Sequence, residues 1–511
     1  MNSEASGRYH TNWLNMMYPR LKLARNLLTD DGVIFISIDD NEVSNLKAVC
    51  DEVFGEDNSC GLISRIMKSG GAKGRFFSPN IEYILVYAKN IGALNCFREG
   101  ISEEIVNKLY TSIEIEGEKK GQKYRPFGLY QSSLDARPNQ RYYIECPDGS
   151  FVIPPGETMP IDNYDGSMIL PNSTDGCWRW SRDRYLEEKE KGNIAFKKSD
   201  GVLIDSKGNP AKWNIYSKIW LSDREEDGMV PVNLISKWEN RLATKELAAL
   251  EIPFDFAKPS DLVKYLISII GDTSDTTILD FFSGSATTAH AVMQLNAEDK
   301  GTRKYICVQL PEHTPEDSEA RKAGFTTIPE IAKERIRRAG KKIIEEQKAK
   351  NDGLFAEDAS KLDIGFKVFK LDRSNVKEWD IEFDGATEQQ AATQLRAEFN
   401  KTLDILKEER TELDILYEVI LKLGLPLTTH VSIKEIDNKK AFVVGNGVMV
   451  ASFAKGLTYH QIGKMIDLKA DFVQPGEFKI VLADESFASD NDKTNAMQLF
   501  KQRGITNFEI I

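Results

Sequence analysis

The chain has 511 residues, of which 41% are hydrophobic and 29% charged, so it has material for about three or four domains with sizeable cores. Its beginning lacks a basic segment followed by an apolar one, and no uninterrupted apolar run approaches the ~20 residues of a membrane-spanning helix, so we expect a cytoplasmic protein that contacts no membrane. The six cysteines are scattered without a Cys-x-x-Cys pair, which predicts neither a disulfide framework nor a metal site.

Residues 1–97 are typical of part of an α/β sheet. A helical pattern from Trp13 to Leu28 precedes the apolar run Gly32–Ile38, and a second strand-like run follows at Ile81–Tyr87. Taken one at a time, these segments predict only a core helix and buried strands. Their order along the chain carries more information than any one of them.

Residues 98–230 combine basic and aromatic side chains. From Glu118 to Tyr143 there are six basic residues against two acidic ones, a local balance of +4 in a chain whose net charge is −12, and five aromatic residues are interleaved. Such a segment suits phosphate contacts combined with base-edge or stacking contacts to nucleic acid. A solvated basic face on an all-β insertion would show the same pattern. The candidate nucleic-acid contacts are Lys123, Arg125, Arg137, Arg141 and Arg179.

The sequence pattern of Thr276–Glu312 predicts a strand, a tight glycine loop, a helix and a second strand. Small residues at 283–286 let the backbone approach a ligand closely, and the N-terminus of the following helix presents free N–H groups and a positive dipole end. The loop has one glycine instead of Gly-x-Gly-x-x-Gly, and the chain contains no Gly-Lys-Ser/Thr triplet, so neither a dinucleotide site nor a P-loop is favoured. An ordinary strand-to-helix turn without a ligand remains the alternative.

The last part of the chain shows a long helical pattern over Glu398–Leu421. Apolar runs follow at Ala441–Val444, Val448–Ala454 and Phe478–Ala483. We expect a small α/β domain whose chemistry cannot be read from its residues.

The nonapeptide Asp280–Thr288, DFFSGSATT, resembles the S-adenosylmethionine loop of amino-methylating DNA methyltransferases, Asp-Pro-Phe-x-Gly-Ser-Gly-Thr-Thr. It departs from that pattern at Phe281 and Ala286. Lys258-Pro259 is similar to the segment that precedes this loop in the family, and residues 328–339 to the helix that follows. The order of these and the earlier segments resembles the modification subunit of a type III restriction–modification system, an adenine-N6 DNA methyltransferase.

This resemblance implies an α/β fold, with an S-adenosylmethionine-dependent methyltransferase (Rossmann-like) sheet, an inserted target-recognition domain and a C-terminal α/β domain. The expected bounds are 1–97 for the first part of the methyltransferase domain, 98–230 for the target-recognition insertion, 231–350 for the cofactor-binding part and 351–511 for the C-terminal domain.

The resemblance also implies which residues bind S-adenosyl-L-methionine. They are Lys258, Asp280, Phe282, Gly284, Ser285, Ala286, Thr287, Thr288, Gln309 and Glu312. Either Gln309 or Glu312 would reach the ribose, and helix capping is the alternative for Thr287 and Thr288. Lys258 could instead be a surface lysine that only orders the turn before Pro259. His290 could line the pocket, although a packed helix histidine is the simpler expectation.

The family's catalytic Asp-Pro-Pro-Tyr loop precedes the segment that begins here at Asn12, and neither Asp-Pro-Pro nor Asn-Pro-Pro occurs in this sequence. We therefore expect an N-terminally truncated methyltransferase whose catalytic residues are unknown and whose catalytic loop comes from a lost segment or a separate polypeptide. The alternative is a non-catalytic DNA-recognition and assembly module. The family further implies double-stranded DNA, an ATP-dependent restriction endonuclease subunit and a second modification subunit, in a homodimer, as partners.

Overall fold

The computed structural model describes residues 9–70, 76–101, 103–199, 201–350, 362–377, 389–390, 393, 395, 407 and 409–511. The chain forms two compact units, Met1–Ile364 and Gly365–Ile511. Within the described residues, no helix is both long enough and apolar enough to cross a membrane.

The first unit begins with a sheet and with the two helices that cover one of its faces. Its elements are α1 (Tyr9–Leu27), β1 (Val33–Ile38), α2 (Val43–Phe54), β2 (Ser59–Ile66) and β3 (Ile81–Ala88). The strand β3 is central and antiparallel to both neighbours, with Leu85 opposite Ile36 of β1 and Leu62 of β2. Side chains of α1 and α2 pack on one face of this sheet because Leu21, Leu46 and Phe54 are apolar and buried.

The insertion forms two small sheets. Its elements are α3 (Glu103–Leu109), β4 (Ser112–Ile113), β5 (Lys123–Gly128), β6 (Ile144–Glu145), β7 (Phe151–Ile153), α4 (Arg182–Glu190), β8 (Ile194–Lys198), β9 (Ile204–Asp205), β10 (Trp213–Trp220) and α5 (Leu221–Asp227). One sheet has the order β4–β5–β10–β8 and the other β6–β7–β9. Their shared core contains the aromatic residues Tyr142, Trp178 and Tyr185.

The two ends of the insertion meet at one point on the first unit. The backbone amide of Glu99 donates to the carbonyl of Met229 at 2.8 Å, and the amide of Met229 donates back to Glu99 at 2.8 Å. The predicted bounds of the insertion, 98 and 230, lie next to this bridge.

The chain then returns to the first sheet. The short strand β11 (Leu234–Ile235) pairs in parallel with β2 and completes the order β1–β3–β2–β11. The following elements are α6 (Asn240–Ala249), α7 (Ser260–Ser268), β12 (Thr277–Asp280), α8 (Thr287–Asp299), β13 (Lys304–Cys307), α9 (Glu319–Lys322) and α10 (Ile328–Lys350). Leu262 and Leu266 of α7 cover the second face of the first sheet.

The strands β12 and β13 pair in parallel with each other and form a separate two-stranded sheet. The strands of the methyltransferase part thus lie in a four-stranded and a two-stranded sheet in the described residues. The predicted α/β class is confirmed, since strands alternate with helices that pack on their faces.

The second unit is a five-stranded sheet with helices on both faces. Its elements are α11 (Glu412–Lys422), β14 (Val431–Ile436), β15 (Lys439–Val444), β16 (Met449–Ser452), α12 (Tyr459–Ile466), β17 (Lys479–Leu482), α13 (Asp490–Gln502) and β18 (Asn507–Ile510), and the strands follow chain order. One core layer contains α11, and the other contains α12 and α13. The predicted helix Glu398–Leu421 is described only from its later part, because most of residues 396–408 lie outside the described residues.

Candidate cofactor-binding loop and nucleic-acid interface

The segment Asp280–Thr288 joins β12 to α8 through a left-handed loop. The backbone φ is 50° at Gly284 and 60° at Ala286. Glycine adopts this conformation readily, whereas it costs an alanine about 1–2 kcal/mol. The loop can therefore keep its shape at Ala286 only because the surrounding structure holds it there.

The carboxylate of Asp280 fastens the loop from the strand side. One oxygen accepts a hydrogen bond from the Thr288 hydroxyl at 2.6 Å, and the other accepts from the Phe282 amide at 3.2 Å. The amide of Ala286 donates to the Ser283 carbonyl at 2.7 Å, which closes a tight turn inside the loop. Asp280 thus shapes the loop through bonds within it.

The glycine loop also contacts the end of β13. The side-chain oxygen Oε1 of Gln309 accepts a hydrogen bond from the Gly284 amide at 2.8 Å. Glu312, the other candidate for the ribose, is exposed three residues further on. The structure brings Gln309 to the loop, so Gln309 is the better placed of the two, although the ribose contact itself stays a prediction.

The hydroxyl groups at the start of α8 do not cap that helix. Ala286 is the N-cap residue and no side chain caps it. The Thr288 hydroxyl donates to Asp280, while those of Ser285 and Thr287 accept from Arg335 at 2.8 and 2.7 Å. The capping alternative for the two threonines is therefore not realised.

Lys258, the predicted partner of a carboxylate of the cofactor, has an acidic neighbour. Its Nζ is 3.8 Å from Oε2 of Glu82 on β3, and the other oxygen of Glu82 accepts from the fully buried Arg65 at 2.5 Å. Arg65 in turn donates to the Trp238 carbonyl at 2.6 Å. The lysine is thus held by a buried ion pair of the first sheet and is still about one third exposed.

Two aromatic side chains, Phe282 and Phe254, lie at the loop. Phe282 is half exposed, and Phe254 is the nearest group to the position that a Cβ on Gly284 would occupy, at 3.7 Å. Phe256 is almost fully exposed and has a φ of 64°, which is a strained conformation for an aromatic residue. His290 packs beneath the loop, where burial and then the charge of Arg335 lower its pKa to about 3.

Basic and aromatic side chains of the insertion alternate on its surface. We name the set Arg125, Phe127, Arg179, Trp180 and Arg184 the cation–aromatic ladder. The guanidinium of Arg179 lies 4.1 Å from the ring centre of Phe127 and 5.7 Å from that of Trp180. Arg125 lies 5.5 Å from the Phe127 ring, and Arg184 lies 4.9 Å from the Trp180 ring. Lys123, on the same strand as Arg125, and Arg137 are exposed.

Arg141 does not belong to this surface. Its side chain is fully buried, and its guanidinium donates to the backbone carbonyls of Thr158 at 2.7 Å, Pro154 at 2.9 Å and Gly176 at 2.8 Å. The carboxylate of Asp175 lies 3.8 Å away. This placement contradicts the expected DNA contact, because the guanidinium is buried and its hydrogen bonds go to backbone carbonyls inside the fold.

Residues 2–319 match the protein family N6_N4_Mtase, described as DNA methylase. The match covers more than half of the chain. The chain belongs to the DNA methylase family.

Relatives of this DNA methylase include two type III modification subunits. The chain is 34% identical to the EcoPI Mod subunit of Escherichia phage P1 over 340 residues, which are 65% of this chain and 50% of that relative. It is 34% identical to the EcoP15I Mod subunit of Escherichia coli over 392 residues, covering 71% of this chain and 53% of the relative. The chain spans about half the length of these subunits. These matches confirm the resemblance that the motifs and their order indicated.

A third relative is the type II methyltransferase M.KpnI of Klebsiella pneumoniae. It is 30% identical over 339 residues, which are 64% of this chain and 74% of that enzyme. The similarity therefore extends to a DNA methyltransferase outside the type III systems, and it supports membership of the DNA methylase family independently of them.

Sequence reasoning missed several groups that the DNA methylase fold brings to the loop. Phe254 and Arg335, which lie against the loop, and Glu246, which pairs with Arg335, were not among the predicted site residues. For Phe254, proximity to the Lys258-Pro259 segment was the available signal. For Arg335, fifty residues from Ser285, the sequence offered no signal of contact.

Proposed function

We propose that this DNA methylase chain provides the S-adenosylmethionine-binding and DNA-recognition parts of an adenine-N6 methyltransferase that modifies duplex DNA in a type III restriction–modification system. The observation that carries the proposal is the left-handed loop over Asp280–Thr288, whose Gly284 amide donates to Gln309, two residues after the neighbouring strand β13. Its sequence resembles the cofactor loop of amino-methylating DNA methyltransferases, and its place between a parallel strand and a helix suits a nucleoside-containing ligand.

The residues around the loop fit the chemistry of S-adenosylmethionine. The missing Cβ at Gly284 leaves room for close approach, and the amide group of Gln309 suits a ribose hydroxyl. Phe254 and Phe282 offer apolar rings for an adenine, and Lys258 offers a cation for a carboxylate. When bound, the cofactor would supply an activated methyl group on its sulfonium.

The exocyclic amine of adenine is a poor nucleophile because its lone pair is delocalised into the ring. A methyltransferase of this class needs hydrogen-bond acceptors for that amine and an aromatic platform for the flipped base. The 511 residues contain no Asp-Pro-Pro-Tyr segment to provide them. We therefore assign cofactor binding and target recognition to this chain and assign the acceptor groups to residues outside it.

The cation–aromatic ladder is the candidate DNA surface. Its guanidinium groups suit phosphate oxygens and base edges, and its rings suit stacking on unpaired bases. Arg125 and Arg179 both lie against the Phe127 ring, while Lys123 and Arg137 extend the positive surface. Arg141 is not part of this proposal. The similarity to type III Mod subunits further supports a restriction subunit as a partner. We propose that this subunit is an ATP-dependent endonuclease and that a second modification subunit joins in a homodimer.

The test is calorimetric titration of S-adenosylmethionine into the full chain, compared with Gly284→Val and Gly192→Val. We expect saturable binding by the parent chain and a loss of about tenfold or more in Gly284→Val, because a β-branched residue is strained at φ of 50° and occupies the ligand's approach. Gly192 has a φ of 73° with open space around its Cβ position, so Gly192→Val is a matched control for backbone strain away from the loop. Equal affinity of all three proteins would contradict the assignment of the loop.

A non-catalytic recognition and assembly module is the second candidate, favoured by the absence of the Asp-Pro-Pro-Tyr segment from these residues. Transfer of labelled methyl groups to DNA separates the two candidates. This chain is assayed in parallel with a version that is extended upstream through an Asp-Pro-Pro-Tyr segment. Transfer by the extended version supports the methyltransferase, and binding without transfer by both supports the module.

A further inference from the structure

A buried arginine lies directly beneath the glycine loop. Arg335, on the second turn of α10, is fully buried, and its Nη1 donates to Oγ of Ser285 at 2.8 Å and to Oγ1 of Thr287 at 2.7 Å. These two hydroxyls flank Ala286, the strained left-handed residue of the loop. A single guanidinium nitrogen thus spans the turn that gives the loop its shape.

The charge of Arg335 is balanced by a carboxylate from another helix. Its Nη2 is 3.4 Å from Oε2 of Glu246 on α6, and Glu246 also accepts from the amide and hydroxyl of Ser260 at the start of α7. His290 of α8 faces the same carboxylate, with Nδ1 3.2 Å from Oε1. The network therefore joins α6, α7, α8 and α10 under the loop.

A buried charge of this kind is weak support for stability alone. Replacing a buried ion pair by well-packed apolar groups is often neutral or stabilising, because removing charges from water is costly. What a guanidinium adds is a rigid planar fork that fixes the positions of its acceptors. At this place the acceptors are hydroxyls of the loop itself.

We propose that Arg335 is a positioning residue for the cofactor: it fixes the Ser285 and Thr287 hydroxyls and so holds Ala286 in the left-handed conformation that shapes the loop for S-adenosylmethionine. This inference rests on the proposed function of the loop. It explains how the chain keeps an alanine where the resembled family has a glycine. A glycine needs no clamp at this position, whereas an alanine does.

The clamp predicts a specific rescue. Arg335→Met removes the clamp, and Ala286→Gly removes the strain that the clamp resists. We expect Arg335→Met to weaken S-adenosylmethionine binding about tenfold or more, Arg335→Lys to weaken it less, and Arg335→Met combined with Ala286→Gly to recover much of the loss. A merely structural role of Arg335 in packing α10 would not be relieved by a glycine in the loop.

The control is Arg337→Met on the same helix. Arg337 carries the same charge, is about half exposed and faces Glu334, so this variant removes a guanidinium without changing the loop. We expect it to bind like the parent chain. The loop-side counterpart is Thr287→Val, which removes one acceptor. It should weaken binding alone but add little in the Arg335→Met background, because both changes break the same contact.

Two measurements on the full chain decide the outcome. Titration calorimetry gives the affinity for S-adenosylmethionine, and amide hydrogen exchange of residues 281–288 in the ligand-free protein reports the loop directly. If the parent chain does not bind S-adenosylmethionine, the proposed function fails. The clamp is then still established if the loop amides exchange faster in Arg335→Met and return to the parent rate in the double variant with Ala286→Gly. Parent-like affinity and exchange in Arg335→Met, or loss without rescue by Ala286→Gly, would overturn it. Should Arg335→Met not fold, Ser285→Ala with Thr287→Val removes the acceptors instead, and unchanged loop exchange there would overturn the inference equally.

Discussion

Replacing Arg141 by methionine separates a role in folding from a role in DNA binding. The guanidinium is fully buried and donates to the carbonyls of Thr158, Pro154 and Gly176 at 2.7–2.9 Å. Methionine fills part of the volume but satisfies none of these acceptors. The carboxylate of Asp175, 3.8 Å away, would also lose its nearest cation.

The magnitude follows from these contacts. Each buried acceptor left without a partner costs about 1–3 kcal/mol, and breaking a buried ion pair by removing one partner costs about 3–5 kcal/mol in total. Asp175 keeps the hydrogen bonds of Glu157 and Asn172 amides, which limits the electrostatic part. Three acceptors at about 1 kcal/mol each already reach the lower end of the ion-pair range, so we expect Arg141→Met to lower the free energy of unfolding of the insertion by at least about 3–5 kcal/mol, a large fraction of the stability of a typical domain.

The assay is denaturant unfolding followed by tryptophan fluorescence, since the buried Trp178 donates its indole N–H to the Tyr142 carbonyl at 2.8 Å beside Arg141. Arg137→Met is the control, because Arg137 is exposed and lies four residues earlier. Arg137→Met should change stability by less than about 0.5 kcal/mol. Parent-like stability of Arg141→Met together with a selective loss of DNA affinity would refute the structural role and return Arg141 to the DNA surface.

The remaining predictions concern DNA, catalysis and acid. Arg125→Ala and Arg179→Ala should each weaken DNA binding by ~1–3 kcal/mol if the arginine reads a base, or lower the slope of affinity against salt by about one unit if it contacts a phosphate. The measurement is fluorescence anisotropy at several salt concentrations. A loss of affinity no greater than in Lys207→Ala, an exposed lysine of the insertion, would favour a merely solvated face. The rate at which the 511-residue chain alone transfers labelled methyl groups to duplex DNA should be several orders of magnitude below that of a version with an Asp-Pro-Pro-Tyr segment. Robust transfer by the chain alone would reveal a catalytic acid that we have overlooked. Burial alone would raise the pKa of Glu418, but hydrogen bonds from Lys422 and Ser374, among others, lower it to about 2. Its contribution to the stability of the second unit is therefore complete above the unfolded pKa of about 4.3 and is lost as the pH falls through about 2. The difference in melting temperature between the parent chain and Glu418→Gln should vanish over that range, and a difference that persists at pH 2 would contradict the assignment.

Local pattern predicted the elements that build the loop. The apolar run ending at Asp280, the small residues at 283–286 and the helical pattern from Thr287 all agree with β12, the left-handed loop and α8. They could be predicted because strand, tight turn and helix start depend on neighbouring residues. In the second unit, the three predicted strands correspond to β15, β16 and β17, while β14 and β18, which interleave polar and apolar residues, were missed.

Long-range partners could not be predicted in this way. The contact of Gln309 with Gly284 depends on the register of two parallel strands, and that of Arg335 with Thr287 depends on how α10 packs. Arg141 is a case in which the missing long-range information led to a wrong prediction. A basic residue beside Tyr142 in a basic segment predicts a charged surface, yet the carbonyl groups that bury it come from residues 13 to 35 positions away.

The way the insertion is attached suggests that recognition and cofactor binding can vary independently. Its two ends meet at the Glu99–Met229 bridge, and β11 then pairs with β2, so the first sheet is continuous across the point of insertion. The cation–aromatic ladder is built entirely from side chains inside the insertion. The side chains that hydrogen-bond with the glycine loop from elsewhere are Gln309, which follows β13, and Arg335 of α10. A change in the ladder therefore alters no contact of the loop. Under the proposed function, substitutions at Arg125 or Arg179 should therefore leave the affinity for S-adenosylmethionine unchanged, so the insertion could acquire a new target sequence while the proposed cofactor loop stays as it is.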